Sequence, residues 1–199
     1  EQSMTFYGRL INVVVPAYDY TMLRTVDGDI YTFGRGDAGQ LGVEGVTTTG
    51  LPQHILQGLT IVSICGGMTH AMALEANGTV FAWGSNAYGQ IGINSPEPTQ
   101  PTPTRVTGKL LHEDVVAIAC GGYHSMALSF NGTVLTWGYN LNGELGDNSF
   151  ILKYEATRVG ALLQGKRIVQ IAAGMHHSMA LGSDGTVYSW GRNNRGQLG

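Results

Sequence analysis

Short runs of alternating apolar residues, separated by glycine, recur along the chain at a regular interval. Three segments align without gaps and end at Trp83-Gly84, Trp137-Gly138 and Trp190-Gly191, about every 53 residues. A more divergent fourth copy lies upstream, where Phe33-Gly34 occupies the equivalent position. A period of this length predicts a repeat architecture in which each copy is one small folded unit.

Each unit predicts a β-hairpin followed by glycine-rich connections. In the second unit, two apolar runs at 70–74 and 79–83 flank Asn77-Gly78, and Asn-Gly favours a tight type I′ turn with positive φ at both central residues. The matching turns are Asp27-Gly28, Asn131-Gly132 and Asp184-Gly185. Third strands are predicted at 61–64, 115–118 and 168–171, and weaker fourth strands at 104–106 and 157–159.

Four short antiparallel strands per unit, without helical periodicity, predict an all-β fold. We expect a β-propeller of four-stranded antiparallel blades, with an open β-solenoid as the alternative. The chain is interpreted as a single propeller segment over 1–199, with repeat cores at 11–42, 61–92, 115–146 and 168–199. After each hairpin, one apolar residue of a glycine-rich loop is predicted to fill the gap between sheets: Leu41, Ile91, Leu145 and Leu198.

Composition and charge narrow the function classes. Only 13% of the residues are charged and the net charge is −3, which argues against direct nucleic-acid binding. No run of 18 apolar residues and no secretory leader is visible, so we expect no membrane association. The two cysteines, Cys65 and Cys120, are interpreted as buried free thiols, which favours an intracellular setting, cytoplasmic or nuclear.

The third unit carries the clearest motifs, with Gly121-Gly122-Tyr123-His124-Ser125-Met126-Ala127-Leu128, Asn131-Gly132-Thr133-Val134 and Trp137-Gly138-Tyr139-Asn140. At these residues the sequence resembles the regulator of chromosome condensation repeat family. The resemblance implies a seven-bladed propeller, of which this chain holds about four units. We therefore expect the open blade faces to be covered by further blades or by self-association.

Histidines repeat once per unit at His70, His124 and His177, with Tyr20 at the equivalent place in the first unit. A metal site would need all three rings to converge on one point. We instead expect each imidazole to bond the backbone of its own blade. The string Gly34-x-Gly36-x-x-Gly39 lacks the helix that holds a dinucleotide, and Asn-x-Thr at 77 and 131 is explained as turn chemistry. No catalytic set, metal site or cofactor is predicted.

The loops just before these positions form a candidate partner-binding rim. In exchange-factor members of the family, acidic and histidine side chains in these loops face a small GTPase. The resemblance implies the same role for the matching loop residues of this chain. The predicted rim residues are Asp19, Tyr20, Thr69, His70, Tyr123, His124, His176 and His177. The proline-rich segment 95–103 is interpreted as a stiff connector or a projecting recognition loop.

Three functions remain open from the sequence. The first hypothesis is a protein–protein interaction propeller, a scaffold or regulatory binding module within a larger protein or assembly. The alternative is guanine-nucleotide exchange on a small Ran-like GTPase. A weaker third hypothesis is inhibition or ligand sensing by the rim. A protein partner is expected in the first two cases.

Overall fold

The computed structural model describes residues 8–199, which fold into four antiparallel sheets. In each sheet the strands follow one another as a meander. The first sheet contains β1 Ile11–Pro16, β2 Tyr20–Thr25, β3 Ile30–Arg35 and β4 Thr48–Ile55. The second contains β5 Ile61–Gly66, β6 His70–Glu75, β7 Val80–Ser85 and β8 Thr99–Arg105.

The third and fourth sheets repeat this arrangement. The third contains β9 Val115–Cys120, β10 His124–Ser129, β11 Val134–Gly138 and β12 Lys153–Arg158. The fourth, as far as residue 199, contains β13 Ile168–Ala173, β14 His177–Gly182 and β15 Val187–Gly191. Short 3₁₀ turns at Lys109–His112 and Ala161–Leu163 precede the third and fourth sheets. None of the helical segments in residues 8–199 has the length and apolar character needed to cross a bilayer.

Side chains between neighbouring sheets form three separate apolar cores. One joins the first and second sheets, one the second and third, and one the third and fourth. Leu41, Ile91 and Leu145 are fully buried, as expected for residues that fill the gaps between sheets, and Leu198 is half-buried. Because such packing stabilises only neighbours, each sheet depends on the one beside it.

The aromatic residues at the ends of the repeats occupy the same register in successive sheets. Phe33 pairs with Thr21, Trp83 with Ala71, Trp137 with Ser125 and Trp190 with Ser178. The indole N–H of each tryptophan donates to the loop between the third and fourth strands of the preceding sheet: Trp83 to the Gln40 carbonyl, Trp137 to Gln90 and Trp190 to Glu144, all at 2.8–2.9 Å. Each tryptophan therefore ties two sheets together.

The predicted hairpins are present, but the predicted turn type is wrong. In the second sheet the Gly78 N–H donates to the Glu75 carbonyl and Glu75 N–H to Thr79, which closes a three-residue loop with positive φ at glycine only. The other three hairpins repeat these bonds. This is a type I turn followed by a left-handed glycine, and the Asn77 side chain accepts the Thr79 N–H at 2.9 Å.

The outer strands are longer than predicted and begin earlier. Strand β8 includes Pro101 and Pro103, which were assigned to a connector or a recognition loop. Proline is compatible with this position because β8 is an edge strand with one unpaired side. The segment therefore completes the second sheet, and the recognition-loop interpretation of residues 99–103 is wrong.

The free-thiol prediction is also wrong. Cys65 in β5 and Cys120 in β9 form a disulfide, with their Cα atoms 5.6 Å apart. The bond links the first strands of the second and third sheets. Because both cysteines are in this disulfide, they give no support for a reducing compartment. The prediction that the open blade faces are covered by further blades or by a second copy stays a prediction.

Candidate functional site

The predicted rim lies at one end of the sheets. His124 at the start of β10 pairs with Gly138 at the end of β11, so Tyr123 and Tyr139 extend from the same edge. The other hairpins have the same register. Loops from successive units therefore converge here, whereas the hairpin turns lie at the opposite end of the strands.

Two of the three repeated histidines join neighbouring sheets. His70 Nε2 lies 3.1 Å from Ser125 Oγ, and His124 Nε2 lies 2.9 Å from Ser178 Oγ. Each serine hydroxyl donates its own hydrogen to a loop carbonyl at 2.8 Å, so the histidine Nε2–H must be the donor to serine. For His70 and His124 the predicted bond to the backbone of the same blade is therefore wrong, because the partner is a side chain of the next one.

Burial keeps these two imidazoles neutral. Desolvation lowers the pKa of His70 to about 4, and that of His124 to about 3 with a smaller contribution from neighbouring histidines. Both rings lie against glycine: a Cβ on Gly67 or Gly121 would overlap the His70 or His124 ring, respectively. Within residues 8–199, no group of three or more His, Cys, Asp or Glu side chains is arranged to hold a metal ion.

Tyr20 makes the equivalent connection by another route. Its hydroxyl donates to the His70 carbonyl at 2.5 Å, directly across to the second sheet. The second sheet has Ala71 where the third has Ser125, so no serine hydroxyl is available there. Burial raises the pKa of Tyr20, which keeps its hydroxyl protonated.

Burial removes three residues from the predicted partner-binding surface. Tyr20 is 3% exposed, and His70 and His124 are fully buried, so their side chains are not available to a partner. Asp19, Thr69, Tyr123, His176 and His177 are partly or fully exposed. Their role in binding stays a prediction.

In the first unit the rim is held by an ion network. The Arg35 guanidinium donates to Asp19 at 3.1 Å and to Asp37 at 2.7 Å. Its hydrogen bonds lower the pKa of Asp37. Asp19 is therefore exposed, but its carboxylate is already paired with the Arg35 guanidinium.

The structure brings two of the predicted residues together with two that were not predicted. Four half-buried rings from the second, third and fourth units lie together, with the centroids of neighbouring rings 5.2–6.2 Å apart. We call these four residues, Tyr88, Tyr123, Tyr139 and His176, the aromatic rim cluster. Tyr88 meets Tyr123 and Tyr139 edge-on, at interplanar angles of 77° and 83°.

A fully buried carboxylate adjoins the aromatic rim cluster. Glu144 Oε1 lies 3.4 Å from His176 Nδ1, and the carboxylate accepts the Asn142 N–H at 2.8 Å and its side-chain amide at 2.6 Å. Burial, together with the Glu144 charge, raises the pKa of Tyr139, while the exposed Arg192 acts in the opposite direction. The cluster is thus an aromatic surface with negative charge beside it.

Tyr88, Tyr139 and Glu144 were missed because each lies in a loop whose first role is structural. One signal was present in the sequence. Glu144 occupies the position that glutamine holds in the other three units, at Gln40, Gln90 and Gln197. A charged residue at an otherwise uncharged, buried position indicates a local function.

The chain is similar to proteins of known sequence over nearly its whole length. A family model described as the RCC1-like domain matches residues 5–199. The human E3 ubiquitin-protein ligase HERC2 is 36% identical over 183 residues, which cover 89% of this chain and 4% of that protein. The chain thus spans a small part of this relative.

Solved structures show the same architecture. Human WBSCR16 matches with a TM-score of 0.90 at 25% identity, over 100% of this chain and 52% of that one. Prp20p from Saccharomyces cerevisiae, in a structure described with its binding properties to Gsp1p and histones, matches with a TM-score of 0.82 at 26% identity, over 94% and 47%. The prediction of an incomplete propeller with antiparallel blades is confirmed, and the alternative of an open solenoid is wrong. The chain belongs to the RCC1-like domain family.

Proposed function

We propose that this chain is a protein–protein interaction propeller, acting as a scaffold or regulatory binding module within a larger protein or assembly. The observation that carries the proposal is the half-buried aromatic rim cluster, held on loops fixed by buried bonds between sheets. Tyrosine is enriched at protein interfaces, where its ring supplies contact area and its hydroxyl a polar group. Loops held by a rigid scaffold are common positions for binding.

The relatives support a module that binds instead of reacting. HERC2 is named a ubiquitin ligase, whereas the Prp20p structure is described by its binding to Gsp1p and histones. A segment shared by proteins with such different descriptions, and covering 4% of the ligase, is better explained as a recognition unit than as a reaction centre.

Affinity capture with the full-length protein tests this proposal. The variant Tyr123→Ala/His176→Ala removes two rings of the cluster, and we expect about tenfold lower recovery of a partner that binds there. Phe130→Ala is the matched control, because Phe130 is 72% exposed at the opposite end of β10. Partners recovered equally by both variants and the unmodified protein would argue against the rim as the binding surface.

Guanine-nucleotide exchange on a small Ran-like GTPase is the second candidate. It is favoured by the similarity to Prp20p and by Asp19 and His176, ionisable residues in the loops where exchange factors of this family contact their GTPase. Release of labelled GDP from several such GTPases, measured with excess full-length protein, provides the test. Faster release that Asp19→Ala and His176→Ala reduce would support exchange, and unchanged release across the panel would remove it.

A further inference from the structure

Glu144 carries a charge that its loop does not require. In all four units the side-chain oxygen at this position accepts the N–H of the residue two positions earlier, at 2.8–2.9 Å. Gln40, Gln90 and Gln197 make this bond with an uncharged amide. An amide therefore suffices for this backbone bond, and the carboxylate of Glu144 adds negative charge and a second acceptor oxygen, which the Asn142 side-chain amide uses at 2.6 Å.

That negative charge is buried without a strong cationic partner. Among residues 8–199 no lysine or arginine nitrogen lies within 4.0 Å of the Glu144 carboxylate, and its ring neighbour is His176 at 3.4 Å. Arg192 begins beside the cluster, where its N–H donates to the His176 carbonyl, but its side chain is exposed. A buried carboxylate is costly unless a positive group compensates it, so the site favours an incoming cation.

The rings beside Glu144 favour the same kind of ligand. The faces of aromatic rings are negative, and they attract ammonium and guanidinium groups within about 6 Å of the ring centre. Three tyrosines provide such faces here, and all three side chains keep part of their surface exposed. Carboxylate and rings therefore act on a cation in the same direction.

Apolar residues flank this site in the same region of the rim. The loop that carries Glu144 exposes Leu141 by 58%, and the segment that follows exposes Phe150 and Ile151 by 67% each. The Phe150 ring lies beside Gly143, so the two stretches adjoin. Exposed apolar groups next to a polar site are typical of surfaces that bind a protein segment.

We propose that the aromatic rim cluster and Glu144 bind a lysine or arginine side chain of a protein partner, with the Leu141–Phe150–Ile151 surface contacting apolar residues beside that cation. This inference rests on the proposed interaction function and specifies its partner as a basic, partly apolar segment. The net charge of −3 is compatible with such a partner.

A peptide titration of the full-length protein tests the inference. The probe is the acetylated, amidated peptide Ala-Leu-Lys-Phe-Ala, compared with the same peptide containing norleucine in place of lysine. Binding is followed by NMR of labelled tyrosine rings. We expect saturable shifts in the cluster and about tenfold weaker binding of the norleucine peptide, because it keeps the apolar contacts and lacks the cation.

Glu144→Gln is the decisive variant, since it restores the residue of the other three units and keeps the bond from the Asn142 N–H, although its amide nitrogen cannot accept the Asn142 side-chain amide. It should remain folded, as its thermal unfolding will show, and bind the lysine peptide about tenfold more weakly, with norleucine binding unchanged. Tyr123→Leu should also weaken lysine binding, whereas Phe130→Ala should not. An arginine peptide is expected to behave as the lysine peptide does.

Three results would overturn the inference: equal binding of the lysine and norleucine peptides, lysine binding unaffected by Glu144→Gln, or no shift of the cluster at millimolar peptide. If captured partners depend on Tyr123 and His176 but not on Glu144, the interaction function stands and cation recognition fails. If those partners depend on none of the three, the proposed function itself fails.

Discussion

The repeated histidines are packing elements whose rings need the absence of a side chain nearby. His124 lies over Gly121, and its Nε2–H reaches Ser178 in the next sheet. The glycine lies three positions before the histidine in the second, third and fourth units. The glycine-rich bend is therefore a steric requirement of the inter-sheet bond.

Gly121→Ala tests this requirement. The added Cβ would overlap the His124 ring, so we expect the free energy of unfolding to fall by about 2–3 kcal/mol. Gly50→Ala is the matched control, because neither glycine has positive φ and a Cβ on Gly50 meets nothing within 4 Å. Denaturant unfolding of both variants provides the measurement, and equal small losses would contradict the packing role.

The neutral buried histidines also predict a pH dependence. The pKa of His70 is lowered to about 4 and that of His124 to about 3, whereas the unfolded chain takes up these protons near pH 6.5. Below that pH the unfolded state binds more protons, so stability falls as the solution is acidified. Each histidine contributes a slope of about 1.4 kcal/mol per pH unit at most, ending near its folded-state pKa.

Unfolding measured between about pH 7 and about pH 5 reports mainly on the histidines, since carboxylates with lowered pKa values titrate mainly below that range. His70→Gln should be less stable than the unmodified protein at neutral pH and lose less stability on acidification. The exposed His112→Gln should behave as the unmodified protein does. A His70→Gln variant with an unchanged slope would show that His70 is not the group responsible.

The sequence predicted which residues repeat but not what they bond. A period of about 53 residues identifies His70 and His124 as equivalent, and this reasoning extends to Tyr20. Their partners, Ser125 and Ser178, lie about one full repeat further along the chain. Spacing alone does not show that neighbouring sheets approach closely enough for that bond.

Local sequence patterns predicted the inner strands well, but the turns and the outer strands less well. Alternating apolar residues located the inner hairpins, because one side of each strand packs against a neighbouring sheet. The Asn-Gly pair favours a two-residue turn, but Ala76 joins the loop and leaves only Gly78 with positive φ. Strand β8 escaped full prediction because edge strands tolerate proline and polar residues, which read as a linker.

The disulfide between β5 and β9 should stabilise the pairing of the second and third sheets. Cys65 and Cys120 are separated by 55 positions, so the cross-link restricts the unfolded chain enough to stabilise the fold by ~4 kcal/mol in the chain-entropy model. Unfolding with and without a reductant should show this loss. The variant Cys65→Ala/Cys120→Ala should show the same unfolding midpoint with and without the reductant.

Thiol titration provides an independent control for that prediction. The denatured protein, kept without reductant, should contain no reactive thiol, and reduction should release both. Two reactive thiols before reduction would contradict the disulfide and restore the original free-thiol interpretation.

The assembly of sheets was predictable because one repeated unit implies one repeated interface. The cores between sheets contain equivalent residues, as Leu41, Ile91 and Leu145 show. The aromatic rim cluster is different, since Tyr88, Tyr139 and His176 come from three units and occupy non-equivalent positions. The repeat pattern does not predict such a cluster, because its residues meet only through the side-by-side packing of the sheets.

Site-specific photo-cross-linking tests the central claim, that the rim around Tyr123 is where this propeller binds its protein partner. p-Benzoylphenylalanine is placed at position 123 or at position 130 of the full-length protein, and covalent adducts are identified after irradiation. We predict a defined partner adduct from position 123 that is absent from position 130 and decreases with His176→Ala. No adduct from position 123, or the same adduct from both positions, would contradict the claim.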